Sequence, residues 1–68
     1  MEITLEQKKA IVKERITSLI EDLYKYELNY RFSVEQNQEE SAEGFKGAME
    51  GTKEALAFHE RELATLEG

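Results

Sequence analysis

Gln36-Asn37-Gln38-Glu39-Glu40-Ser41 has no apolar residue, yet on both sides of it apolar residues recur at helical spacing. Upstream, Leu5, Val12, Ile16, Leu19, Leu23, Tyr26 and Tyr30 form a stripe whose one gap is Lys9. Downstream, Phe45, Met49, Thr52, Leu56, His59, Leu63 and Leu66 form a second stripe. Alternating steps of three and four residues place each set along one side of an α-helix. Two such helices joined by a short polar stretch zip together as an antiparallel hairpin. The expected fold is therefore all-α: a coiled-coil-like two-helix antiparallel hairpin in one domain, 1–68. Helix one is expected over about 3–36, the turn over about 37–41 and helix two over about 41–67. A single unbroken helix is the competing reading, since nothing in 36–41 forbids helix.

Local signals mark the ends. Thr4-Leu5-Glu6-Gln7 reads as a capping box, in which the Thr4 hydroxyl accepts from the Gln7 amide and the Gln7 side chain reaches back. Asn37 tolerates the left-handed conformation that ends a helix, and Ser41 is an expected cap for helix two. A turn centred near residue 39 or 40 makes facing residue numbers sum to about 79. That register pairs Val12 with Leu66, Ile16 with Leu63, Leu19 with His59, Leu23 with Leu56, Tyr26 with Thr52 and Tyr30 with Met49. It also brings together Lys13 and Glu67, Glu27 and Lys53, and Arg15 and Glu62, all of opposite sign. Each exposed ion pair contributes only about 0.2–1 kcal/mol, so these pairs select register more than they stabilise.

Composition narrows the function classes. The chain has 68 residues, 35% of them charged, with no Pro and no Cys. A core of this size is barely sufficient alone, and neither disulfides nor thiolate metal sites supplement it. Regular helix packing or oligomerisation must do so. The net charge is −6. Residues 1–32 hold six acids and six bases, whereas 33–68 hold nine acids and three bases, so the acidity belongs to the second half. Such a chain repels phosphate backbones, which argues against direct nucleic-acid binding. No stretch suits a bilayer span, and the N-terminus lacks the basic-then-apolar layout of a signal peptide. A cytoplasmic location without membrane contact is expected.

Apolar residues remain outside the seam. Ile20, Tyr24, Leu28 and Phe32 form an i, i+4 ridge on helix one, with Leu28 pointing almost directly away from helix two. Gly44, Ala48, Gly51, Ala55 and Phe58 form a stripe of mostly small residues on helix two. Glycine inside a helix costs about 1 kcal/mol relative to Ala, so Gly47 and Gly51 require a reason. One reason is local, with Gly51 and Thr52 making room for Tyr26. The other is close approach of a further helix. The ridge and the small stripe together suggest a second interface, most simply with another copy. Two hairpins about a two-fold axis complete a four-helix bundle.

Little in the chain suggests catalysis. His59, the one histidine, falls on the seam with Glu62 nearby, short of the three or four ligands a metal needs. A diiron bundle wants Glu-x-x-His, and the residue three before His59 is Leu56. A packed His59 hydrogen-bonded to a carboxylate is expected instead, and its titration would make assembly mildly pH-sensitive. Glu21-Asp22, Glu39-Glu40 and Glu60 with Glu62 read as solvated faces, because acid–base work needs a concave, partly dry pocket. Gly44-Phe45-Lys46-Gly47 and Gly51-Thr52-Lys53 lack the spacing and preceding strand of a phosphate loop. No metal, cofactor or enzymatic activity is expected. Tyr26 and Tyr30 belong to the seam, whereas Tyr24, with Leu28 and Phe32, is suited to anchor a partner. The expectation is a small interaction or assembly protein that self-associates, a dimer being favoured, and binds another protein. The alternative is an acidic decoy, of the kind a phage or mobile element encodes, occupying a basic nucleic-acid-binding surface.

Overall fold

In a computed structural model, residues 2–68 are described; Met1, the head of the expected domain, lies outside them. Two helices make up the fold: α1 over Leu5–Glu35 and α2 over Glu39–Glu67. At ~1.5 Å per residue they are rods of about 46 and 44 Å, laid side by side in a body measuring 50 × 18 × 14 Å. The hairpin reading holds, and the unbroken helix does not.

The start of α1 follows its sequence signal. The Gln7 amide donates to Thr4 Oγ1 at 3.1 Å, and the Thr4 amide donates to Gln7 Oε1 at 2.8 Å. Both halves of the capping box are formed. At the other end Asn37 takes φ 58, the left-handed conformation. The Gln38 amide reaches the Ser33 carbonyl at 2.9 Å, and the Asn37 amide reaches the Val34 carbonyl at 3.1 Å. These are the two bonds of a Schellman motif, which satisfies carbonyls that a helix end leaves open.

That motif makes the turn tighter and earlier than expected. It occupies 36–38, and α2 begins at Glu39 with Gln38 as its cap. Ser41 therefore does not cap α2; it lies exposed in the first turn of the helix. Gln38 makes no side-chain cap bond, though Glu39 and Glu40 place negative charge in the first turn, where the helix dipole favours it.

The register shifts with the turn. The last and first helical residues are 35 and 39, so facing numbers sum to about 74–75 rather than 79. Ser33 and Ala42, both buried, line one recess beside the turn. Tyr30 then stands level with Phe45, Tyr26 with Met49, Leu23 with Thr52, Leu19 with Leu56, Ile16 with His59 and Val12 with Leu63. All of these are buried or half-buried. The expected cross-helix ion pairs, Lys13–Glu67, Glu27–Lys53 and Arg15–Glu62, are not formed. Among the described residues the ion pair found is Lys9–Glu6, at 3.9 Å within α1. Leu5 also leaves the seam, being 51% exposed, because α2 ends before reaching its level.

Polar groups inside the seam bond locally. Thr52 Oγ1 donates to the Ala48 carbonyl at 2.8 Å. His59 Nδ1 lies 2.7 Å from the Ala55 carbonyl, so Nδ1–H is the donor. The expected carboxylate partner is replaced by this backbone oxygen, one turn back on the same helix. The Phe58 ring meets the His59 ring edge-on, centroids 5.3 Å apart. Lys9 is half-buried, its aliphatic stem filling the gap in the first stripe while its ammonium turns to Glu6.

Candidate interaction surface

One hairpin leaves this chain without a true interior. Among the described residues no large side chain is fully buried, and the buried ones are Ser33, Ala42 and Thr52. The seam residues Val12, Ile16, Leu19, Leu23, Tyr26, Tyr30, Phe45, Met49, Leu56, His59, Leu63 and Leu66 are all half-buried. Two helices touching along one line cover only one side of a large seam residue, and the small Thr52 alone among the seam residues is buried.

The ridge on α1 is exposed throughout. Ile20, Tyr24, Leu28 and Phe32 are 55, 56, 44 and 58% exposed. Successive members turn about 40° around the helix, since four residues at about 100° each overshoot one full turn. Ile20 thus leaves the seam on one flank, Tyr24 and Leu28 reach the back of α1, and Phe32 passes beyond it. An open recess of ≈ 550 Å³ near the turn is lined by Leu28, Tyr30, Arg31, Phe32, Val34 and Glu35.

The small stripe on α2 divides in two. Ala48 and Ala55 are half-buried, tucked against the seam, whereas Gly44, Gly51 and Phe58 are exposed. A Cβ added at Gly44, Gly47 or Gly51 would meet nothing within 4 Å. Gly51 therefore does not make room for Tyr26, which stands level with Met49 instead.

Helix geometry separates the two sets. Ile20 follows a seam residue, Leu19, and Ala48 precedes one, Met49, so they leave their seams in opposite rotational senses. In an antiparallel pair, flanks of like sense meet. The start of the ridge and the small stripe therefore lie on opposite flanks of the hairpin.

Further apolar exposure comes from Ile3, Leu5, Ile11 and Val34. Ile11 and Val34 lie outside the expected interface set; Ile11 has polar residues four before and four after it, whereas Val34 follows the seam residue Tyr30 by four. Their off-seam positions in the stripe spacing were the available signal. Ser33 and Ala42 were also missed, although they extend the two stripes by one three-residue step toward the turn.

Among the described residues, no group of three or more His, Cys, Asp or Glu side chains is arranged to hold a metal. Among the same residues, no helix is long and apolar enough to cross a membrane. No protein-family model matches this chain, and no curated protein or solved structure is significantly similar to it.

Proposed function

We propose that this chain is a small non-catalytic assembly protein, which associates with its own kind by helix packing and in that form binds another protein. The observation that carries this reading is the missing interior: among the described residues nine large apolar ones stand exposed while no large side chain is fully buried. A chain of this composition gains most by covering that surface with further helices, since burial yields about 25 cal/mol per Å² of apolar area. The favoured product is a four-helix assembly of two hairpins in the cytoplasm, its remaining exposed surface serving the protein partner. Sedimentation equilibrium at micromolar concentration tests it. A mass of two chains or more supports the reading, and a single-chain mass overturns it.

One observation favours a second reading, the acidic decoy. None of the nine acids of residues 33–68 takes part in an ion pair among the described residues. Most of this charge is therefore free to meet a basic groove on another protein. Binding of that kind weakens steeply as salt rises.

A further inference from the structure

We infer that the second copy docks on the outer face of α1, related by a two-fold axis near residue 26, and that α2 stays on the outside of the dimer. This rests on the self-association reading above and says where it happens.

Area supports it first. The chain exposes 5436 Å², whereas a compact monomer of its 7.9 kDa mass exposes about 4,400 Å². The excess of roughly 1,000 Å² per chain compares with the ~800 Å² that each partner contributes to a standard stable interface. One further copy is thus sufficient to cover it.

The apolar surface is also one-sided. Of the exposed large apolar residues, Leu5, Ile11, Ile20, Tyr24, Leu28, Phe32 and Val34 belong to α1, and Phe58 alone to α2. Charge selects the same helix. Residues 1–32 carry no net charge, while 33–68 carry all −6. Docking α1 on α1 joins two neutral halves and keeps the acidic halves apart. Docking α2 on α2 would press two strongly acidic surfaces together, which like-charge repulsion opposes.

The ridge is self-complementary in the way a two-fold interface demands. Its four members are symmetric about residue 26. Laid antiparallel on itself, it puts Tyr24 beside the partner's Leu28 and Ile20 beside the partner's Phe32. Because an i, i+4 ridge drifts around its helix, it crosses a like ridge obliquely, at about −50°. The two hairpins then cross at Tyr24 and Leu28 rather than running alongside each other.

The experiment combines mass measurement with site-specific cross-linking. Wild-type chain is expected at twice 7.9 kDa. Leu28→Glu is expected to return it to the single-chain mass with far-ultraviolet helicity retained, while Ala57→Glu on α2 leaves the dimer intact. Cross-linking does not depend on Leu28→Glu folding. The chain has no cysteine, so Lys25→Cys on α1 is expected to join two chains through a short bis-maleimide, and Glu54→Cys on α2 is not. A dimer that survives Leu28→Glu and cross-links through Glu54→Cys overturns docking on α1 but keeps self-association. A single-chain mass for the wild type overturns both.

Discussion

Asn37 is the residue on which the hairpin turns. Its left-handed φ of 58 permits both Schellman bonds, and that conformation is tolerated by Asn and Gly far better than by other residues. Asn37→Val is expected to destabilise the hairpin by about 1–2 kcal/mol, and Asn37→Gly to leave it as stable or slightly more so; thermal unfolding followed by circular dichroism would rank them. The helical glycines give the opposite case. Since a Cβ at Gly44, Gly47 or Gly51 meets open space, each change to Ala should stabilise by about 0.5–1 kcal/mol through helix propensity. A fall in melting temperature for any of them would mean that the small face of α2 is covered in solution, and that docking on α1 is not the whole assembly.

The two helices show why a stripe can be right in membership and wrong in register. Every expected seam residue except Leu5 is buried or half-buried, yet the facing pairs stand three or four positions away from the expected register. Heptad stripes are nearly unchanged by a slip of three or four residues, which exchanges one kind of seam position for the other. The charges do not resolve the slip either. In the register of those facing pairs Lys13 stands level with Glu62 and Arg15 with Glu60, again of opposite sign and neither in ion-pair contact. The choice falls instead to the turn and to the two small residues beside it. Ser33, 2% exposed, and Ala42 let the helices approach where the chain reverses. Ser33→Leu is accordingly expected to overpack that end and destabilise by about 1–3 kcal/mol, with denaturant unfolding as the measurement. A midpoint equal to that of the wild type would show that the helices do not meet at Ser33.

At the scale of the whole molecule, the hairpin is a rod rather than a globule. Its radius of gyration is 15.6 Å, against about 11 Å for a compact domain of 68 residues. A rod with one seam leaves its large apolar side chains partly open to water, and the proposed association would cover them. Its unfolding midpoint is therefore expected to rise with protein concentration, as mass action requires when only the folded form assembles. Calorimetry over a hundredfold range, about two decades, checks this; a midpoint independent of concentration would identify a self-sufficient monomer. Docking through α1 predicts that high salt leaves the association intact, because neutral apolar faces would meet and exposed charges are what salt screens.

Residue spacing and local backbone preference were enough to read the class of fold, the capping box at Thr4, the left-handed exit at Asn37 and most of the seam. All of these depend on spacing and backbone preference within a few residues, which the chain carries locally. The start of α2 and the register came from the tertiary structure alone. They depend on how tightly the turn closes, and a difference of a few residues there moves every facing pair while leaving both stripes unchanged. The absence of an interior is likewise a property of two rods in contact, since the apolar composition of the chain is the same whether or not anything covers α1.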